Sequence, residues 1–348
     1  MATPQERRET MKRHTACAGR DPAMSAARGF TLIEMMIAIT LGLMILAALT
    51  TFFVQTSANR SEMDRGSRQI ENGRFAMDIL REDLSLAGFY SDVQQASVAW
   101  QTPAACETVA ANLGFSASPV RMPIPIFGYP NLVGAPPCIA NAVPGTDVLV
   151  VRRFNTEPTP VASAVANQFY MQISHCATDS STTPVFVGPG SGAGGFTLRK
   201  VNCTSLADLW RYHEHVYYIR RCSVCGVDNI PTLVRLVLDG GVTKTEELAE
   251  GIQEMRIDYG LDANGDGAPE QWRRCDAATP CTAADWLNVT AIKVNLLSST
   301  LENSPGYTDK KTYALGLAGT VGPFGDGLKR HVYSAVVNAA NRSGPRER

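Results

Sequence analysis

Residues Phe30 to Val54 read FTLIEMMIAITLGLMILAALTTFFV, an apolar stretch with one ionisable group, Glu34. A run of this length predicts a membrane-spanning helix. A secretory signal would have a shorter apolar core closed by a small-residue cleavage site, and no such site closes this run. The pattern then changes without a break. No proline occurs between Pro22 and Pro103, so one helix can continue to about Gly88, roughly 90 Å at 1.5 Å per residue. Met63, Ile70, Met77 and Leu84 recur every seven residues, with Gly66, Gly73, Leu80 and Ala87 between them. Arg65, Arg68, Glu71, Arg74, Asp78, Arg81, Glu82 and Asp83 take the other faces. The pattern predicts an amphipathic half, residues 55–88, that lays its stripe on its own domain. Contact with a neighbouring helix is the alternative, but two glycines weaken the stripe as a coiled-coil seam.

After Gly88 the periodicity shortens. Residues 89–145 are rich in loop signals, as in SPVRMPIPIFGYP and GAPPC. Short runs of strand character follow: TDVLVVRRF (146–154), HVYYIRR (215–221), TLVRLVLD (232–239), IQEMRIDYG (252–260), VTAIKVNLLSS (289–299) and HVYSAVVNA (331–339). Turn-forming residues separate them. Several alternate apolar and polar positions, which predicts an antiparallel sheet with one face covered, the long helix being the cover. The expectation is therefore an α+β fold with a β-rich head over 89–340 and a disordered tail over 341–348.

Composition adds orientation and compartment. The net charge of -1 over 348 residues offers no basic stripe for nucleic acid. Arg7, Arg8, Lys12, Arg13, Arg20 and Arg28 precede the apolar run, which places the N-terminus in the cytoplasm and the head outside it. Of nine cysteines, Cys17 lies before the run. The other eight follow it: Cys106, Cys138, Cys176, Cys203, Cys222, Cys225, Cys275 and Cys281. An even set in an exported domain favours disulfides. Nearest-neighbour pairing is the expectation, although eight cysteines allow 105 connectivities.

The motif RGFTLIEMMIAI closely resembles the N-terminal signature of type IV prepilins and type II secretion pseudopilins. In that family an inner-membrane peptidase cuts after the glycine and methylates the new N-terminus. The resemblance implies cleavage between Gly29 and Phe30, a leader over 1–29, an N-methylated Phe30, and Glu34 as fifth mature residue. The segments IENGRFAMDILREDLSLAGFYSD (70–92), LAEGIQEMRIDYGLDANGDG (248–267) and LKRHVYSAVVNAANR resemble the PilW minor pilins. The J-type minor pseudopilins are the second branch. Family leaders are commonly short, so Met24 is the expected start, which would leave Cys17 outside the protein. The resemblance implies a pilin-like fold and a role in initiating type IV pilus assembly. Implied partners are other minor pilins, the major pilin, the prepilin peptidase and the assembly platform. The implied location is the inner membrane and then the surface filament. A pilus-tip adhesin or DNA-uptake subunit is an alternative of another class.

Glu34 needs a reason. An ionised carboxylate at a bilayer centre costs about 2.5–3.5 kcal/mol on insertion scales, and less near an edge. Cleavage after Gly29 would create a cationic amine at Phe30. In a staggered filament, Glu34 of one subunit can meet that amine on the next, and a desolvated pair discriminates correct from shifted register. The expectation is that Glu34 acts as an assembly register mark.

Other chemistry is sparse. DANGDGAPE carries the first half of a calcium loop, with Asp262, Asn264 and Asp266 supplying oxygens, Ala268 a carbonyl, and Glu270 the ninth position. Arg273 stands where a bidentate glutamate should close an EF-hand, so a shorter loop or an Asx-rich hairpin turn are the two readings. Cys222 and Cys225 form a C-x-x-C pair without the βαβ setting of a redox site, and a disulfide is expected. His213 and His215 share one side of a strand without a third ligand, which suggests a surface strand end. No hydrolase, Walker or zincin motif occurs, and no catalytic activity is expected.

Overall fold

The structure, a computed structural model, describes residues 29–93, 98–117, 120–179, 185–189 (backbone only) and 195–346. Residues 1–28 of the expected leader, with Cys17 and Met24, lie outside the described residues. The chain divides into two units, Met1–Ala58 and Asn59–Arg348, and helix α1 (Leu32–Ser85) runs from one into the other.

In the first unit α1 begins directly after Thr31. Among the described residues it is the one helix long and apolar enough to cross a membrane, and its apolar window buries nothing. That exposure suits a solvent of lipid, because each side chain there is wet otherwise.

In the second unit α1 becomes a core element. Gln69, Gly73, Ala76, Met77, Leu80, Asp83 and Leu84 are buried. The helix closes through a turn at Gly88, whose left-handed φ of 74° suits glycine. The Gly88 N–H then donates to the Arg152 carbonyl at 3.0 Å, which ties the helix exit to the sheet.

The head contains β1 (Ala99–Gln101), β2 (Ser116–Ala117), β3 (Val120–Pro123), β4 (Ile126–Tyr129), β5 (Val148–Phe154), β6 (Phe169–Ile173), β7 (Val185–Pro189) and β8 (Leu209–Arg220). After these come β9 (Thr232–Asp239), β10 (Val242–Glu250), β11 (Ile252–Leu261), β12 (Gln271–Arg273), helix α2 (Ala283–Leu287) and β13 (Val289–Ser299). The chain closes with β14 (Tyr313–Ala314), β15 (Thr320–Val321), β16 (Arg330–Asn338) and helix α3 (Ala340–Ser343). The larger sheet runs β10-β9-β8-β5-β4, with β6 and β7 added beside β8. A second sheet runs β12-β11-β13-β16. Every pairing in these two sheets is antiparallel. The α+β expectation, a long helix on antiparallel sheets, is what the chain forms.

One core cluster joins α1 (Ala76, Met77, Leu80, Leu84) to Leu149, Tyr217, Ile257, Ile292, Val294 and Val337 of both sheets. Each large apolar side chain so buried contributes roughly 1.5–3 kcal/mol. A separate cluster of Val148, Val150, Val216, Tyr218, Val234 and Leu236 fills the opposite face of the larger sheet under residues 105–142. The larger sheet is therefore covered on both faces, not one. The loop-rich segment supplies the second cover, which explains why VLVV of β5 is apolar at consecutive positions.

The tail also departs from expectation. Residues 340–343 form α3, with Arg342 and Ser343 buried. Arg342 lies 5.0 Å from the Trp100 ring centroid, and Arg346 donates to the Leu287 carbonyl at 2.9 Å. The two guanidinium groups order a segment whose composition alone reads as free.

Candidate functional site

The N-terminal motif lies at the start of α1. Phe30 is 82% exposed. The Thr31 hydroxyl accepts the Glu34 N–H at 3.3 Å, and the Thr31 carbonyl accepts Met35 N–H at 3.1 Å. Thr31 thus caps the helix, and Glu34 stands three residues on, where a carboxylate favours the positive end of the helix dipole. The Glu34 side chain is exposed. A turn of helix separates it from the Phe30 nitrogen that cleavage would free.

Farther along α1 the helix is fixed to the head by charge. Adjacent positions on a strand face opposite ways, and β5 and β8 use this at one level of the sheet. Their register sets Arg152 opposite Glu214 and Arg153 opposite His213. On the helix side, the Asp83 carboxylate accepts from Arg153 Nε at 2.8 Å and the Tyr217 hydroxyl at 2.9 Å, and lies 2.7 Å from His215 Nδ1. Burial alone would push the Asp83 carboxyl up. The His215 hydrogen bond and charge, then Arg153, overcome it and hold the group well below the carboxylate range. Burial, followed by His215 and the flanking arginines, pushes His213 down to about 3.

On the other face Arg152 Nε donates to Glu214 at 2.7 Å, and both side chains are buried. Glu214 also accepts Cys106 N–H at 2.8 Å, and Arg152 reaches the Pro103 carbonyl at 3.0 Å. This second pair fixes the disulfide-bearing loop. The histidines expected at a surface strand end are therefore interior: His215 is buried and His213 half-buried. Asp83, assigned to the solvent face by a seven-residue repeat, is the partner of His215.

Four disulfides join Cys106–Cys138, Cys176–Cys203, Cys222–Cys225 and Cys275–Cys281, the nearest-neighbour pattern. The DANGDG loop brings oxygens of Asp262, Asp266 and Glu270 within 4.8 Å of one another. Asp262 is buried. Its carboxylate accepts the N–H groups of Gly265 at 2.6 Å and Gly267 at 3.0 Å, and Arg346 Nη1 at 3.0 Å. Asn264 donates to Asp266 at 3.0 Å, Glu270 accepts Ala263 N–H at 2.7 Å, and Ala268 N–H donates to Asp266 at 2.8 Å. The turn is thus held by its own hydrogen bonds, with Arg346 supplying positive charge.

A membrane-length N-terminal helix that continues into an antiparallel β head, with the Gly29-Phe30 pair just before the helix, is a type IV pilin-like fold. Two family models match the chain. The prokaryotic N-terminal methylation motif covers residues 24–50, and type IV pilus-assembly protein W covers residues 216–341. Together they match a type IV minor pilin of the PilW family. No curated protein and no solved structure matches the chain. PilW is a pilus-assembly family and not an enzyme family.

Proposed function

We propose that this chain is a minor pilin that helps to initiate type IV pilus assembly within a priming complex near the filament tip. The observation that carries the reading is the pairing, in one chain, of the methylation motif at 24–50 with the pilus-assembly region at 216–341. In this reading the prepilin peptidase cuts between Gly29 and Phe30 and methylates Phe30. The apolar half of α1 anchors the chain in the inner membrane, N-terminus in the cytoplasm and head in the periplasm. It later packs among other minor pilins and the major pilin on the assembly platform. The chain binds no nucleic acid and performs no catalysis.

Glu34 gives the assembly its register. Its carboxylate meets the methylated amine of an adjacent subunit, and the desolvated pair forms only at the correct stagger. Because Glu34 needs such a neighbour, the chain sits just below another subunit instead of at the extreme tip. Exposed Met63 (69%) and Ile70 (46%) on the head-proximal part of α1 support packing against neighbouring helices. A calcium ion held by Asp262, Asp266 and Glu270 would clamp the exposed turn and is part of the same proposal. The test is Glu34→Ala in the full chain. Cleavage at Gly29 persists and co-purification with the other minor pilins is lost. Normal co-purification of that variant would contradict the register role.

A further inference from the structure

Where β6 ends and β8 begins, the head leaves a cleft of ≈ 270 Å³ whose lining includes Asp92, Ile173, His175, Lys200, Asp208 and Trp210. β6 pairs with β8 through Met171 opposite Trp210 and Gln172 opposite Leu209. Leu209 is buried, so its neighbours Asp208 and Trp210, two positions apart, project to the other side. Ile173 and His175, also two apart, reach the same cleft from the end of β6. The Trp210 indole is half-buried, with its centroid 5.9 Å from the Phe89 ring.

Covalent and hydrogen bonds hold the walls. Cys176–Cys203 joins the segment after His175 to the turn that carries Lys200. Between them Arg199 Nε donates to Asp179 at 2.8 Å and Arg199 Nη1 to the Cys203 carbonyl at 2.8 Å. His175 N–H donates to the Arg199 carbonyl at 2.9 Å, and Ala207 N–H to the Leu198 carbonyl at 2.8 Å. Thr159 and Leu209 exchange both of their main-chain bonds, at 2.7 and 2.8 Å. A cleft fixed in this way loses little freedom when a ligand enters it.

The rim restricts the ligand. Lys200 Nζ lies 2.8 Å from Asp208, and His175 Nε2 lies 3.6 Å from Asp92. Each carboxylate thus stands beside a nitrogen group, and an ionic ligand of either sign would have to break a pair. An extended peptide needs free main-chain groups in a wall, but those of Thr159 and Leu209 and the N–H groups of His175 and Ala207 are already bonded. What the cleft offers is an aromatic side chain with charged donors and acceptors around it. A neutral ring with an apolar C–H face and hydroxyls at its edge suits both. Its C–H groups meet the negative face of the indole, and adjacent hydroxyls bridge a carboxylate and its neighbouring nitrogen in charge-assisted hydrogen bonds. The volume is just under the range of about 300–1,000 Å³ for small-molecule sites, which suits one ring and not a long chain.

We propose that this cleft is a saccharide-binding site for one neutral sugar ring, stacked on Trp210 and hydrogen-bonded by Asp208, Lys200, Asp92 and His175. This is a binding function separate from assembly, and its failure leaves the assembly reading standing.

The test is titration calorimetry of the full chain in a sugar-free detergent, because a glycoside detergent would compete. The probes are glucose, galactose, mannose and N-acetylglucosamine, each as its methyl glycoside. At least one gives a saturable isotherm, and Trp210→Ala weakens it at least tenfold. Trp210 also packs on Phe89, so the exposed Lys200 supplies a second variant. Lys200→Ala weakens binding at least threefold with an unchanged melting temperature. At saturation the sugar shields Lys200 from acetylation, while Lys244 on β10 reacts as before. No isotherm with any of the four probes overturns the proposal. So does an affinity that Lys200→Ala and a natively melting Trp210→Ala both leave unchanged, or a bound sugar that leaves Lys200 as reactive as Lys244.

Discussion

Asp83→Ala removes the acceptor that three side chains share beneath the helix. In the native head Arg153, His215 and Tyr217 all lie within 2.9 Å of its carboxylate oxygens. The side chains of Asp83 and His215 are 5% and 7% exposed, so water does not replace the lost partner. Breaking a buried pair by deleting one member costs about 3–5 kcal/mol, because the remaining charge is left buried. For a domain of this size each kcal/mol moves the melting temperature by about 2–4 °C, so the drop is roughly 6–20 °C. Glu82→Ala, next to it on the exposed face, changes stability by about 0.5 kcal/mol or less. The assay is thermal unfolding of the full chain in detergent, followed by tryptophan fluorescence. All four tryptophans lie in the head, at 100, 210, 272 and 286. A loss below about 1 kcal/mol for Asp83→Ala, or one equal to that of Glu82→Ala, would refute the anchoring role.

The remaining predictions use the same assay or a simple titration. His213 has its folded pKa pushed down to about 3 from an ordinary 6.5, so the unfolded chain binds more protons between those values. Head stability is therefore full above about pH 6.5 and falls as pH drops towards 3; a stability flat from pH 7 to 4 would contradict this burial. A Cβ at Gly73 would fall inside the Tyr333 ring, whereas Gly66 faces open space. Gly66→Ala therefore gains about 1 kcal/mol of helix propensity, and Gly73→Ala destabilises, as melting of the two variants will show. Replacing Cys106 and Cys138 by serine opens a loop of sequence separation 32 and costs roughly 4 kcal/mol, against about 2 kcal/mol for the Cys222–Cys225 loop of separation 3. Calcium titrated into the full chain gives a calorimetric isotherm that Asp266→Ala abolishes and Arg346→Ala strengthens; no heat and no stability change would dismiss the site.

Much of this was readable along the chain, and the misreadings have specific causes. The apolar run, the six main strands and the cysteine pairing follow from length, alternation and proximity. Counting in sevens places Gly73, Met77, Leu80, Leu84 and Ala87 on the buried face, as the structure has them, but carries the stripe wrongly through Met63 and Ile70 and leaves out Gln69, Ala76 and Asp83. A straight helix repeats every 3.6 residues and drifts about 20° per heptad. At that period 69, 73, 76, 80, 83 and 87 form one stripe, five turns in 18 residues. Gln69 and Asp83 then fall inside, and Met63 and Ile70 fall outside, as the structure has them. Their polarity hides them: Gln69 is buried because Nε2 donates to the Ser298 carbonyl at 2.9 Å, and Asp83 because Arg153 of β5 and His215 and Tyr217 of β8 hold its carboxylate. The VTKTEELAE of β10 alternates too weakly to read as a strand, which is what a protected edge looks like. HEH by itself reads as a surface strand end, because nothing in it points to Asp83, 132 residues from His215 in sequence.

The central claim concerns where the mature chain begins and where it goes. Quantitative mass spectrometry of sheared surface filaments and the matching membrane fraction, tracking the N-terminal peptide, tests both at once. The account predicts trace amounts in the filaments, starting at N-methylated Phe30. A chain that keeps Gly29, or a mature chain found only in membranes, would contradict it.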